Sequence, residues 1–140
     1  MGLREYDLLV HKAKEAAHAS YSPYSQFRVG AALLCRDGEI ILGTNVENRS
    51  YGLTQCAERS AICSAVVAGK RGFRAIAVYA LDSSAPIPPC GACRQVLSEF
   101  AGQDFKVIFG GQTGELVCVR LTDLLPRDSL HELSGAAPQR

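Results

Sequence analysis

Three cysteines and a carboxylate constrain this chain more than anything else in it. Thr54-Gln55-Cys56-Ala57-Glu58-Arg59 is answered, about one helix-and-strand unit later, by Pro88-Pro89-Cys90-Gly91-Ala92-Cys93-Arg94-Gln95. Cys90 and Cys93 stand at i and i+3, where the first turn of a helix lets both thiolates reach one ion at zinc–sulfur bonds of about 2.3 Å. Cys56 supplies a third bond. Three protein ligands leave the fourth tetrahedral position free for water, which is the arrangement of a catalytic zinc; a structural zinc closes its shell with four. A fold for this sequence must therefore bring Cys56 to Cys90 although 33 residues lie between them.

The pattern of apolar residues supplies such a fold. Residues 3–18 put Leu9, Ala13, Ala16 and Ala17 together at helical spacing. After the polar loop around Pro23, the run Val29 to Cys35 reads as a strand buried on both faces, and Asp37-Gly38 as a hairpin turn into Ile40-Ile41-Leu42. A helix is predicted from Gln55 to Ala68, ended by Gly69, then a strand over Ala75 to Ala80 and a helix over Gly91 to Phe100. Strands over Phe105 to Phe109 and Leu116 to Leu121 follow, with a last short helix capped by Thr122 and stopped by Pro126. The expected architecture is an α/β sandwich of three layers, α/β/α, around a five-stranded mixed sheet. Right-handed crossovers would set the two central helices on one face, starting at the same edge, so that Cys56 meets Cys90 and Cys93.

The site's other residues follow from charge and reach. Three thiolates around a dication leave a formal charge of −1, which helix N-termini and Arg59, one turn from Cys56, would offset. Arg94 is a weaker candidate for the same task. Glu58, two residues from Cys56, can point past the helix start toward a zinc-bound water and serve as a proton shuttle. Cys63 is about 10 Å further along the helix axis than Cys56, too far to share its metal, and reads with Cys35 and Cys118 as a small buried hydrophobe.

Bulk properties remove several classes of function. With 140 residues and 47% hydrophobic composition, the chain suits a single domain over residues 1–133, with a disordered tail from 134 to 140. It needs no disulfides for a core, so the six cysteines read as reduced. Net charge is +1, from 15 basic and 14 acidic residues interspersed, which leaves no stripe for nucleic acid. No apolar run approaches membrane-spanning length, and the charged opening Met1 to Asp7 is no secretory signal, so the cytoplasm is the expected compartment.

Cys56-Ala57-Glu58 followed by Pro89-Cys90-Gly91-Ala92-Cys93 matches the all-cysteine form of the zinc deaminase signature. From Tyr21-Ser22-Pro23-Tyr24-Ser25 through Leu124-Leu125-Pro126 the chain resembles the small homotetrameric cytidine deaminases. That resemblance implies hydrolysis of free cytidine and deoxycytidine in pyrimidine salvage, with zinc hydroxide attacking C4 and Glu58 handling N3. It also implies that Phe27 packs against the pyrimidine, that Asn45 and Glu47 hold the ribose hydroxyl, and that the Ala57 amide meets the base carbonyl. Tyr51 would sit near an interface where neighbouring subunits complete the pocket. Two positions depart from the family: Pro88 stands where Ser or Thr is common, and Arg127-Asp128-Ser129-Leu130 lacks the usual aromatic. Two competing expectations remain. One is a relative acting on another aminopyrimidine nucleoside; the other is a non-catalytic module whose zinc takes a fourth ligand, His18 or His131.

Overall fold

Residues 6–128 are described by the computed structural model. The apolar run Val29–Cys35 is strand β1, and β2 (Ile40–Thr44) returns beside it, Ala32 opposite Leu42, through a turn in which Gly38 takes φ 92°. With β3 (Phe73–Ala80), β4 (Ala101–Gly111) and β5 (Leu116–Arg120) they form one sheet in the order β2-β1-β3-β4-β5. The neighbours β3 and β4 run parallel, Ala77 opposite Ile108, and the other neighbouring pairs run antiparallel. The mixed five-stranded sheet expected from the sequence is therefore present.

Strand alternation divides the core in two. Ala32, Ala75, Ala77, Tyr79 and Ile108 face helix α1 (Asp7–Ala17) through Leu9 and Ala13. Their neighbours Ala31, Leu33, Ile76, Val78, Val107 and Phe109 face the other way. They pack against α2 (Ala57–Val67), α3 (Gly91–Phe100) and the short α4 (Leu121–Leu124), through Ala61, Ile62, Leu97 and Leu121. Three layers result, with both cysteine-bearing helices in the same one.

Helix-to-sheet distance is set by two glycines on adjacent strands. Gly30 faces α1, where an added Cβ would collide with Ala13 O and Ala17 N; Gly43 faces α2, where it would collide with Ala57 O and Ala61 N. Backbone cannot yield as a flexible side chain can. Gly43→Ala is thus expected to push α2 off the sheet, cost about 1–3 kcal/mol and lower the melting temperature by several degrees. A circular-dichroism melt within about 1 °C of wild type would contradict the close approach.

Three elements, α4, β3 and β4, begin earlier than the sequence predicts. The structure starts α4 at Leu121 rather than after Thr122, with Arg120 as its cap, because burying Leu121 to 3% exposure anchors the first turn on the sheet. Asp123 Oδ2 accepts from the Arg120 amide at 3.1 Å. Strands β3 and β4 begin earlier than expected, β4 directly at the end of α3, since pairing of Phe73 with Ala101 extends the ladder. The tail proposed for 134–140, the end of the domain at 133, and Ser129, Leu130 and His131 lie outside the described residues.

The entry to β1 is clamped to the exit of β3. Asp82 Oδ2 accepts from the Arg28 amide (2.8 Å) and Nε (3.0 Å), while Oδ1 accepts from Nη2 (2.7 Å). The Arg28 side chain and then its amide hold the Asp82 carboxyl down at about 2. A carboxyl lowered on folding stabilises the native state above its unfolded value of about 3.9, and that contribution is lost as pH falls through about 2. An NMR titration should find Asp82 near that value, and Arg28→Met should return it toward about 3.9; no movement in the variant would contradict the clamp.

Candidate active site

Strands β2 and β3 are both antiparallel to β1, and therefore parallel to each other. Their crossovers through α2 and α3 lie on one face, so both helices start beyond strand C-termini, where open α/β sheets place their ligand sites. The two N-caps are Cys56 and Cys90, both with extended backbone, and Cys93 lies one turn into α3. Their three sulfurs stand within 4.8 Å of one another, and Cys90 Sγ is 3.6 Å from Cys93 Sγ. In a tetrahedron with zinc–sulfur bonds of 2.3 Å, adjacent sulfurs are about 3.8 Å apart, so the observed cluster fits that ion.

Charge in the cluster leads to the same conclusion. A hydrogen bond with Cys93, and then one from Arg59, bring the Cys56 thiol down to about 5. Cys93 is pushed well up, first by that shared bond and then by burial. Without a cation the negative charge rests chiefly on Cys56, and three thiolates this close would need a dication beside them. Arg59 Nη2 donates to Cys56 Sγ at 3.1 Å, the charge-offsetting contact expected from its position in the first turn. Its Nε is buried with no partner among the described residues, so the guanidinium is held there chiefly by sulfur.

Glu58 shares the face of α2 that buries Ala57, Ala61, Ile62 and Ala65, and is itself only 4% exposed. Burial is the main cause that pushes its carboxyl up to about 7, with the neighbouring Cys56 charge adding to it. A carboxyl poised there can both accept and return a proton near neutral pH.

A cavity of about 440 Å³ opens beside the cluster. Its lining joins Cys56, Ala57, Glu58 and Cys90 to Phe27, Asn45 and Glu47, with apolar walls from Val29, Val78 and Ala80. Asn45 is 8% exposed: its Oδ1 accepts from the Val29 amide (3.0 Å) and Ser20 Oγ (2.5 Å), and its Nδ2 donates to Phe27 O (2.8 Å). One Nδ2 hydrogen is left for a ligand. Glu47 accepts from the Tyr24 and Ser25 amides at 3.0 and 3.1 Å and from the Ser25 hydroxyl. That hydroxyl, then the two amides, hold its carboxyl below the usual range. Ser20 and Ser25, which pin the two polar residues, went unrecognised in the sequence because their partners lie 25 and 22 positions away.

Other candidates are not brought to the cavity. Tyr51 is 74% exposed on the 3-10 turn Tyr51–Leu53, its ring 5.7 Å edge-on from Tyr24. The Arg94 guanidinium bonds no cysteine sulfur; it holds the Pro89 and Leu124 backbone carbonyls instead. Cys35 is buried as expected, but Cys63 is exposed, because it lies on the face of α2 turned away from the sheet. Among the described residues no fourth His, Cys, Asp or Glu joins the three sulfurs, His18 included. None of the six cysteines is joined in a disulfide.

Comparison with known proteins fits this geometry. Residues 3–110 match the family model described as the cytidine and deoxycytidylate deaminase zinc-binding region. A cytidine deaminase of Halalkalibacterium halodurans is 50% identical over 119 residues, which is 85% of this chain and 89% of that one. The crystal structure of cytidine deaminase from Burkholderia pseudomallei superposes with a TM-score of 0.81 at 47% identity, covering 85% of this chain and 94% of that one. A blasticidin-S deaminase of Bacillus cereus is 34% identical over 125 residues, 84% of this chain and 87% of that one.

Proposed function

The chain belongs to the cytidine and deoxycytidylate deaminase zinc-binding family, and from that premise we propose that it hydrolyses free cytidine and deoxycytidine to uridine and deoxyuridine. It is a zinc-dependent deaminase. The observation that carries the choice of substrate is the composition of one cavity. Two members of the three-thiol cluster, Cys56 and Cys90, and Glu58 border the same space as Phe27, Asn45 and Glu47. No lysine or arginine among the described residues lines it, and Glu47 adds a negative charge. A 5′-phosphate would meet repulsion there without compensation, which favours nucleosides over deoxycytidylate.

Cys56, Cys90 and Cys93 would hold the metal, whose Lewis acidity lets water act as a nucleophile near neutral pH. The chain's own residues do the rest. Phe27 and the apolar walls take the pyrimidine, and Asn45 and Glu47 take the sugar hydroxyl. The Ala57 amide, one of the donors a helix leaves unpaired at its start, takes the base carbonyl. Glu58 takes the attacking water's two protons in turn, placing the first at N3 and passing the second to the departing nitrogen. The oxygen of water replaces the amino group at C4, and ammonia leaves.

The rim of the cavity supports sharing between subunits. Tyr51, Leu53, Val46 and Tyr24 are 74%, 71%, 44% and 45% exposed around one loop region, and Ile87 is 41% exposed at the cavity wall. A second copy covering these side chains would bury apolar surface and bring Tyr51 toward a neighbouring pocket. We infer a homotetramer, which light scattering would read as about four times the 15.0 kDa chain. Six cysteines outside any disulfide fit a reducing compartment, consistent with pyrimidine salvage in the cytoplasm. Among the described residues no helix is long and apolar enough to cross a membrane.

The test is loss of the cytosine chromophore in the ultraviolet, with zinc quantified, across cytidine, deoxycytidine, deoxycytidylate and blasticidin S. Both nucleosides should be turned over, with kcat/KM for deoxycytidylate lower by about a hundredfold or more. Efficient turnover of deoxycytidylate, or of blasticidin S alone, would overturn the assignment.

A further inference from the structure

The loop that delivers Cys90 cannot hold itself in place. Of residues 86–89, Pro86, Pro88 and Pro89 lack an N–H, so the segment has almost no backbone donors with which to pair. Pro89 is nevertheless among the most buried residues of the chain, and its carbonyl needs a partner. Arg94 provides one: its Nε donates to Pro89 O at 2.8 Å.

The same residue holds the next carbonyl as well. Arg94's amide closes the first turn of α3 on Cys90 O at 3.0 Å. The peptide units on both sides of the Cys90 Cα are thus fixed by one residue, which sets the backbone of Cys90 at φ −67° and ψ 168° and with it the direction of the sulfur. The guanidinium reaches further, and Nη1 donates to Leu124 O, the C-terminal carbonyl of α4, at 2.9 Å. Beside it Gln95 Nε2 donates to Asp128 Oδ1 at 3.2 Å. The proline loop is therefore tied through α3 to the segment that follows α4.

We propose that Arg94 is a positioning residue for the metal site, orienting Cys90 and the cavity-lining Pro88 by bridging the Pro89 carbonyl to the end of α4. The inference rests on the zinc reading above. It separates the two arginines of the paired motifs: Arg59 acts on a thiolate directly, whereas Arg94 acts on the backbone that carries one. A lysine cannot replace it, because an ammonium lacks the planar fork that spans two carbonyls.

The experiment measures zinc release from the intact, zinc-loaded protein to a coloured chelator, beside kcat and KM for cytidine. Arg94→Met keeps the stem and removes the donors; it should speed release by about 10-fold to 100-fold and lower kcat about tenfold, with KM within about threefold of wild type. Arg94→Lys should fall between, and it carries the test if Arg94→Met does not fold. Leu9→Ala, in the opposite layer, serves as the stability control: it should lower the melting temperature and leave the release rate unchanged. Release from both Arg94 variants within about twofold of wild type, or equally fast release from Leu9→Ala, would overturn the proposal. A wild-type protein that binds no zinc would instead remove the metal reading beneath it, so the two failures are distinguishable.

Discussion

Glu58→Gln should keep its zinc at the wild-type ratio and lose kcat for cytidine by about 10²-fold to 10⁴-fold, the range that a positioned acid–base group contributes. The substitution preserves shape in a site that is 4% exposed, so packing around Ala61 and Ile62 is undisturbed. What it removes is a carboxyl that burial has moved to about 7, where either protonation state is within easy reach. An amide can neither take a proton from water nor give one to N3. KM should change little, because Phe27, Asn45 and Glu47 still line the cavity. Activity measured beside metal content decides the matter: zinc-loaded Glu58→Gln with near wild-type turnover would remove Glu58 from the chemistry. Lost zinc would make it part of the metal's support instead.

Cys93→Ala should reduce bound zinc from about one ion per chain to near zero and abolish deamination, since two thiols cannot complete an open three-ligand site. The structural effect should also be large. The ion would join the start of α2 to the start of α3, and metal bound only by the folded state stabilises that state. A chelator should lower the melting temperature of the wild type and leave that of Cys93→Ala unchanged. Cys63→Ala, at an exposed position on α2, should retain zinc and activity. Elemental analysis of both variants checks the pair; full zinc occupancy in Cys93→Ala would place the metal elsewhere.

Arg59 and Arg94 look alike in sequence, each following a cysteine ligand within a turn. Position in the helix separates them only in three dimensions. Arg59 returns along α2 to Cys56 Sγ, while Arg94 turns to two carbonyls, one of them 30 positions away. Asn45 gives a similar lesson. Its motif marks a polar loop residue, yet three hydrogen bonds from strand and loop brace it before any ligand arrives. Cys63 shows the reverse case, where an apolar reading failed because the helix phase turned it outward.

By itself, the sequence determined most of the secondary elements and singled out the three candidate metal ligands. Those depend on local periodicity, on turns such as Asp37-Gly38, and on the short Cys90 to Cys93 spacing, each set by neighbours in the chain. Only the tertiary structure decided how closely the three sulfurs approach, that Glu58 is buried to the point where its carboxyl rises, and that serines brace Asn45 and Glu47. Those facts arise where crossovers bring distant segments to one sheet edge, and burial and hydrogen-bond partners there belong to the packed layers rather than to any one stretch of chain.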